Sequence, residues 1–118
     1  EAPGAVRAAA HEDICMLTLI PRATSAGLQV LSKQQQWLPV PCNPDYIVVN
    51  VGDCLQECTD GYYPSTTHRV INPESTQQRS TSRISMPLFL HPRDEVVLNS
   101  EYTAKSYLEK RLKALGLK

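Results

Sequence analysis

The sequence predicts a mainly β protein that ends in one α-helix. Nine prolines and five glycines divide its 118 residues into short apolar segments, a spacing typical of strands joined by turns. The segment Tyr46–Val51 is rich in β-branched and aromatic side chains, which strands favour. Near the C-terminus the apolar residues instead recur at helical intervals. Together these patterns favour a sandwich or barrel of about seven or eight short strands, with one helix packed against it.

Four strands are predicted in the first half of the chain. They are Ile14–Ile20, Leu28–Leu31, Trp37–Val40 and Tyr46–Val51. The first is almost continuously apolar and stops at Pro21. The polar residues 32–36 separate the second strand from the third, which indicates a hairpin. Gly52 and Asp53 are expected to bend the chain after the fourth strand.

Three more strands are predicted in the second half. They are Cys54–Cys58, Tyr62–Arg69 with a continuation to Ile71, and Arg83–Leu90. The dipeptide Asp60-Gly61 between the first two favours a hairpin turn that needs positive φ. Residues 72–82 are rich in Ser, Thr and Gln, which predicts an exposed loop. Pro87 removes one ladder hydrogen bond from the last strand and places it at an edge or a bulge.

The C-terminal segment predicts one amphipathic helix over residues 100–115. Its apolar stripe consists of Ala104, Leu108, Leu112 and Leu115. Ser100 suits the N-cap of this helix, and Gly116 suits its C-terminal stop. We therefore expect residues 1–98 to form the β core and residues 99–118 to form a helix packed on it.

The charge balance argues against two classes of partner. Lys and Arg number twelve, Asp and Glu also number twelve, and the formal net charge is zero. Nucleic-acid-binding proteins usually carry a basic stripe, so neither nucleic acid nor an anionic membrane is an expected partner. The longest apolar runs, Tyr46–Val51 and Met86–Leu90, are far shorter than the roughly 20 residues that span a bilayer. No charged-then-apolar leader opens the chain, so no secretory signal is expected.

Four cysteines raise the alternatives of a disulfide framework and free thiols. Cys15, Cys42, Cys54 and Cys58 match no zinc or redox spacing, and no Cys-x-x-Cys occurs. Three of them lie within or beside apolar runs, where free cysteine behaves as a small hydrophobe. The free-thiol interpretation is favoured, and it predicts a cytoplasmic protein.

Two histidines and one aspartate form a candidate metal site. His11 and Asp13 are two residues apart, so in an extended segment they project to the same face. His68 lies far along the chain. Two imidazoles and one carboxylate make the facial triad of non-haem Fe(II) oxygenases, which leaves coordination positions open for oxygen and substrate. A His-x-Asp pair alone is a weak signal, because many such pairs are surface histidines beside acidic residues.

Short motifs in a fixed order place these three residues in a wider pattern that covers nearly the whole chain. The motifs are His11-Glu12-Asp13, Leu17-Thr18-Leu19, Ala26-Gly27-Leu28, Val40-Pro41, Val48-Val49-Asn50-Val51-Gly52-Asp53, His68-Arg69-Val70, Asn72-Pro73, Arg83-Ile84-Ser85, Pro87-Leu88-Phe89-Leu90 and His91-Pro92-Arg93. In this pattern the chain resembles the isopenicillin N synthase-like, 2-oxoglutarate-dependent Fe(II) oxygenases.

The resemblance implies a fold, a metal site and a co-substrate. The fold is a double-stranded β-helix, or jelly roll, and the ligands of Fe(II) are His11, Asp13 and His68. The Arg-x-Ser motif of the family falls on Arg83 and Ser85, which are expected to bind the distal carboxylate of 2-oxoglutarate. A guanidinium can hold a carboxylate with two parallel hydrogen bonds. Isopenicillin N synthase uses this pair for its substrate's carboxylate instead, so a substrate carboxylate is the alternative ligand.

Other polar residues near these motifs have two interpretations each. Asn50 and Asp53 are either partners of a ligand histidine or turn residues that bond their own backbone, and the turn is favoured. His91 is expected on the surface. Trp37 is expected to pack in the core rather than stack on a substrate.

The length of the chain departs from the family. Complete members are about twice as long or more. We therefore expect a jelly roll that is incomplete at its N-terminal side, whose open edge is covered by a dimer or a strand exchange. The expected function is the oxidation of a small organic substrate with oxygen and 2-oxoglutarate. Two alternatives are an inactive remnant that acts as a metal-binding or interaction module, and a small-molecule binder that holds zinc or nickel.

Overall fold

A computed structural model describes residues 2–117 of the chain, so the terminal residues of the predicted segments 1–98 and 99–118 lie outside the described residues. Its strands are β1 (Val6–His11), β2 (Leu17–Ile20), β3 (Leu28–Leu31), β4 (Trp37–Pro39), β5 (Val48–Val51), β6 (His68–Ile71) and β7 (Leu88–Leu90). Its helices are α1 (Asp53–Cys58), α2 (Thr76–Arg79) and α3 (Ala104–Ala114). The predicted mainly β class with a C-terminal helix is confirmed.

The chain divides into two compact units. Unit 1 comprises the chain up to Glu12 together with Ile20–Val48 and Thr66–Pro87. Unit 2 comprises Asp13–Leu19, Val49–Ser65 and the chain from Leu88 onward. The division into a β core and an appended helix at residue 98 stays a prediction.

Unit 1 contains a four-stranded sheet in the order β1-β6-β3-β4, and its described strand pairs are antiparallel. β3 and β4 form the predicted hairpin, in which Leu31 lies opposite Trp37 and the turn residue Gln35 adopts positive φ. The guanidinium of Arg69 lies 4.0 Å from the centre of the Trp37 ring, and Arg69 Nε donates a hydrogen bond to Gln29. This cation–π contact packs Arg69 of β6 against Trp37 of β4.

Unit 2 contains the other sheet, in the order β5-β2-β7, and the α3 helix. β2 and β7 are antiparallel, with Thr18 opposite Phe89. The buried core of this unit consists of Cys54, Leu98, Ala104 and Tyr107, with Ile14, Met16 and Tyr102 packed against it. Burial of these apolar groups between α1 and α3 stabilises the unit.

The predicted strand at Cys54–Cys58 is wrong, because these residues form helix α1. Positive φ does occur at Asp60 and Gly61, as expected, but it ends this helix instead of closing a hairpin. The Gly61 N–H donates to the carbonyl of Gln56 at 2.9 Å, and the Asp60 N–H donates to the carbonyl of Glu57 at 3.4 Å. That pair of bonds is the Schellman pattern of a helix C-terminus.

Several predicted elements are shorter in the structure. Tyr62–Arg69 is strand only from His68, Arg83–Leu90 is strand only from Leu88, and the predicted loop 72–82 contains α2. Helix α3 begins at Ala104 rather than near Ser100. The reason is that the Asn99 side chain accepts hydrogen bonds from the N–H groups of Glu101 and Tyr102, both at 2.9 Å, and holds this stretch in a turn. Thr103 then caps the helix, in a capping box with Ser106.

No helix within residues 2–117 is long and apolar enough to cross a membrane.

Candidate metal centre

Strand pairing brings the two predicted histidine ligands together within unit 1. His11 ends β1, His68 begins β6, and the two residues face each other across the antiparallel pair. Their ring centroids are 4.3 Å apart. Two imidazoles at this separation offer two nitrogen ligands to one ion.

Each imidazole is oriented through its Nδ1 atom. His11 Nδ1 lies 2.7 Å from the carbonyl oxygen of Ala9, and His68 Nδ1 lies 2.8 Å from that of Thr66. A carbonyl oxygen only accepts hydrogen bonds, so each Nδ1 carries the proton. The lone pair of each neutral ring is then on Nε2, the atom presented to a metal.

Irregular pairing of β1 sets the position of His11. Between Val6 and His11 the register against β6 shifts twice, and each shift gives β1 one extra residue. Bulges of this kind bend a strand and re-aim its side chains, and they are frequent beside active sites. Just after the strand, the Thr67 hydroxyl donates to Glu12 Oε1 at 2.8 Å, which ties the two strands together next to the histidines.

Asp13 opens unit 2, and its carboxylate is held by two buried side chains. The Thr18 hydroxyl donates to Asp13 Oδ2 at 2.6 Å, and the Asn50 amide donates to the same oxygen at 2.9 Å. The backbone is held too, because the Asp53 N–H donates to the Asp13 carbonyl at 2.7 Å. The side chain and the main chain of Asp13 are therefore both fixed by hydrogen bonds.

The three predicted ligands offer two imidazole nitrogens and one carboxylate oxygen. His11 and His68 face each other in unit 1, and Asp13 is the first residue of unit 2. Asp13 follows Glu12 directly, so the covalent chain itself keeps its carboxylate close to His11. Two imidazoles and one carboxylate are donors whose chemistry suits Fe(II). The assignment of these residues as iron ligands stays a prediction.

Arg83 and Ser85 lie in unit 1, in the irregular segment that precedes β7. The half-buried Arg83 donates from Nε to the carbonyl of Ser25 at 3.1 Å, and burial lowers the pKa of its guanidinium. Arg83 lines a cavity of about 30 Å³ with Leu28, Val40 and Tyr46 among its other walls. The carboxylate-binding role of this pair stays a prediction.

The other polar residues considered in the sequence analysis differ in their burial and in their contacts. His91 is exposed, as expected. The Asn50 amide donates to the Asp13 carboxylate, so its partner is an aspartate and neither the predicted histidine nor its own backbone. Asp53 also fits neither interpretation, because its buried carboxylate forms an ion pair with Arg111 Nε at 3.1 Å. Sequence reasoning missed Thr18, since a threonine inside an apolar strand has no motif that marks it as a partner of Asp13.

All four cysteines are free thiols in the structure, and Cys15 and Cys54 are buried. Desolvation raises the pKa of the Cys15 thiol and raises that of Cys54 to about 11. Both thiols are therefore protonated at neutral pH, as expected of structural rather than reactive cysteines.

Known proteins share the sequence pattern of this chain. A family model described as the 2OG-Fe(II) oxygenase superfamily matches residues 2–92. The 2-oxoglutarate-dependent dioxygenase frbA of Dothideomycetidae sp. (strain 11243) is 38% identical over 104 residues, covering 81% of this chain and 31% of frbA. Feruloyl CoA ortho-hydroxylase F6H1-1 of Ipomoea batatas is 38% identical over 89 residues, covering 75% of this chain and 24% of that protein.

Solved structures share its fold. A candidate oxygenase from Shewanella oneidensis is 54% identical with a TM-score of 0.88, covering 100% of this chain and 43% of that one. A full-length Neurospora crassa protein in complex with alpha-KG is 30% identical with a TM-score of 0.81, covering 97% of this chain and 39% of that one. The chain thus spans less than half the length of each of these relatives.

Proposed function

Because this chain belongs to the 2OG-Fe(II) oxygenase superfamily, we propose that it is the iron-binding part of an enzyme that oxidises a small organic molecule with oxygen and 2-oxoglutarate. Its iron ligands are His11, Asp13 and His68. The observation that carries the proposal is the pairing of His11 with His68 across β1 and β6, with Asp13 two residues after His11 in the chain. Family members use Fe(II) and 2-oxoglutarate, which are the cofactor and co-substrate assigned here.

Each ligand has a distinct task in this proposal. The two Nε2 atoms donate neutral nitrogen lone pairs, and the Asp13 carboxylate supplies one negative charge. Three protein ligands would leave coordination positions open for 2-oxoglutarate and oxygen. Fe(II) held by these residues would supply the electrons that activate oxygen, and the protein would hold the ligands in place.

Arg83 and Ser85 are assigned to the distal carboxylate of 2-oxoglutarate. The half-buried guanidinium of Arg83 supports this role, because a carboxylate is held more strongly by an Arg partly removed from water. The Nε–H bond to Ser25 fixes the orientation of the planar group. A carboxylate of the substrate is the alternative ligand of this pair.

The substrate is assigned only as a small organic molecule. One relative is named as a feruloyl CoA ortho-hydroxylase and another, from Arabidopsis thaliana, as a gibberellin 3-beta-dioxygenase. Oxygenases of one family thus act on chemically unrelated molecules, and the matched third or less of their length does not distinguish these substrates.

The test is an anaerobic titration of the protein with Fe(II) and 2-oxoglutarate, followed by visible absorption. A weak metal-to-ligand charge-transfer band is expected, because 2-oxoglutarate chelates the iron through two oxygens. The band is expected to disappear in His68→Ala and to need more 2-oxoglutarate in Arg83→Ala. His91→Ala and Arg93→Ala are matched controls, since both residues are exposed and lie outside the donor set.

A folded protein that gives no band with iron and 2-oxoglutarate present would contradict the proposal. The interaction-module alternative would then be favoured. Iron binding without a response to 2-oxoglutarate would instead assign Arg83 and Ser85 to a substrate carboxylate.

We also propose that two copies of the chain associate along β7. This strand lies at the edge of the β5-β2-β7 sheet, and Leu88, Phe89 and Leu90 are 61%, 47% and 52% exposed. Exposed apolar edge strands pair readily with other strands. Light scattering over a concentration series is expected to show a dimer that Phe89→Lys weakens. A wild-type chain that stays monomeric at high concentration would rule this association out.

The cytoplasmic location inferred from the free thiols stays a prediction.

A further inference from the structure

Two donors from other parts of unit 2 reach the same oxygen of the Asp13 carboxylate. Both the Thr18 hydroxyl at 2.6 Å and the Asn50 amide at 2.9 Å bond to Oδ2. Thr18 lies in the middle of β2, and Asn50 lies in β5, the strand beside it in the sheet. Adjacent strands of one sheet thus present two donors to one oxygen.

The direction of these bonds follows from the groups involved. An ionised carboxylate only accepts, so the single hydroxyl proton of Thr18 must point to Asp13. The Cys15 sulfur lies 3.3 Å from Thr18 Oγ1 and 3.3 Å from the Leu17 carbonyl oxygen, and its single proton can be donated to only one of them.

The groups around the Asp13 carboxylate are deeply buried, so any polar atom among them that lacks a hydrogen bond destabilises the fold. Thr18 and Cys15 are each 1% exposed, and Asn50 is 6% exposed. The amide oxygen of Asn50 finds no hydrogen-bond partner among the described residues. An unsatisfied buried acceptor is unfavourable, and an apolar side chain would pack at this position without that cost. The contact that the asparagine does make is the one with Asp13.

We propose that Thr18 and Asn50 are positioning residues that hold Asp13 through Oδ2 and direct Oδ1 to the metal ion. This inference rests on the proposed function. A carboxylate held in this way binds the ion through one oxygen. A carboxylate free to rotate can bind through both, and would then occupy a position that oxygen or 2-oxoglutarate needs. The two donors therefore tune both metal affinity and the number of open positions.

The test compares Thr18→Val, Thr18→Ser and Asn50→Leu with the wild-type chain. Valine keeps the shape of threonine but removes the hydroxyl, and serine keeps the hydroxyl. The Mn(II) dissociation constant is measured from the EPR signal of the free ion, and the visible spectrum of the Co(II) form reports coordination number. Thr59→Val is the matched control, because it removes a half-buried hydroxyl that bonds the α1 backbone at Leu55 rather than Asp13.

Thr18→Val and Asn50→Leu are expected to weaken Mn(II) binding about 10- to 100-fold. Both are also expected to shift the Co(II) spectrum. Thr18→Ser and Thr59→Val are expected to keep a Mn(II) affinity and a Co(II) spectrum close to those of the wild type. Wild-type affinity and spectrum in both Thr18→Val and Asn50→Leu would overturn the inference. Equal losses in Thr18→Val and Thr18→Ser would also overturn it, since packing rather than the hydroxyl would then be responsible.

His68→Ala, titrated in parallel, separates this result from failure of the proposed function. If His68→Ala binds Mn(II) as the wild type does, the metal site itself is misassigned. If His68→Ala loses binding while the Thr18 and Asn50 variants keep it, only the positioning roles are wrong.

Discussion

Each histidine of the candidate site is oriented by a carbonyl two residues earlier in its own segment, whereas Asp13 is oriented by side chains 5 and 37 residues away. The local bonds follow from backbone conformation near the ligand. The distant bonds exist only because β2 and β5 are neighbours in one sheet. The three candidate ligands can be proposed from residue type and spacing along the chain, whereas the donor Thr18 cannot, because its contact with Asp13 depends on tertiary structure.

Gly52 allows the backbone of residues 52–54 to pack closely against the backbone of residues 13–16. Its N–H donates to the Met16 carbonyl at 3.0 Å, and the next two N–H groups donate to the carbonyls of Asp13 and Cys15. A Cβ added at Gly52 would stand 2.1 Å from the Cys15 carbonyl oxygen and 2.9 Å from that of Asp13. The φ of Gly52 is −106°, so this position demands glycine for space and not for conformation.

We expect Gly52→Ala to lower the free energy of unfolding by about 2–3 kcal/mol, because two backbone oxygens must move away from the methyl group. Urea unfolding measures this change. Gly61→Ala is the control: its φ is 75° but open space surrounds it, so a smaller loss of about 1 kcal/mol is expected. Equal stability of Gly52→Ala and wild type would show that the segment does not pack as described.

At the scale of elements, helix α1 is the main departure from the sequence prediction. Its segment is short and lies between turn residues, which is compatible with a strand, but its conformation is decided by distant contacts. The N-terminal N–H groups bond the carbonyls of the Asp13 segment, and the buried Asp53, 2% exposed, pairs with Arg111 of α3. Both contacts join residues distant in sequence, so no local pattern indicates them.

The packing of α1 against α3 predicts a loss of stability at alkaline pH. Burial raises the pKa of Cys54 from 9 to about 11 and that of Tyr107 from 10 to about 12. The unfolded chain therefore loses these protons first, and the free energy of unfolding falls as pH rises from about 9 to about 12. Below about pH 8 both groups are protonated in the folded and the unfolded state, so they do not change the free energy of unfolding with pH.

Tyr107→Phe is expected to flatten this fall between about pH 10 and 12, since it removes the tyrosine proton. Urea midpoints measured under reducing conditions across that range test the effect. Tyr62→Phe, at a position 78% exposed, is expected to follow the wild-type curve. Parallel curves for the wild type and Tyr107→Phe would show that this hydroxyl is not desolvated in the folded chain.

For the whole molecule, the proposed metal site predicts that bound ions stabilise the fold. An ion that binds only the folded chain adds about 2.7 kcal/mol to the free energy of unfolding when its free concentration is 100 times its Kd. Mn(II) is the suitable ion, because its weak preference for thiolates limits binding to the four cysteines of the unfolded chain.

We expect Mn(II) to raise the Tm by several degrees and EDTA to reverse the change. Differential scanning calorimetry measures the shift. His11→Ala is expected to abolish it, and His91→Ala to leave it intact. A shift that survives in His11→Ala would place the stabilising ion at another site.

The sequence alone determined the mainly β class, the β3–β4 hairpin, the C-terminal helix and the identity of the three candidate ligands. Apolar spacing, turn residues and ligand chemistry are properties of residue type and order, so they can be recognised along the chain. Tertiary structure decided that residues 53–58 are a helix and that Thr18 and Asn50 meet Asp13. It also decided that Asp53 pairs with Arg111. Each of these outcomes depends on groups brought together across strands or helices, and burial makes such polar contacts strong because water cannot replace them.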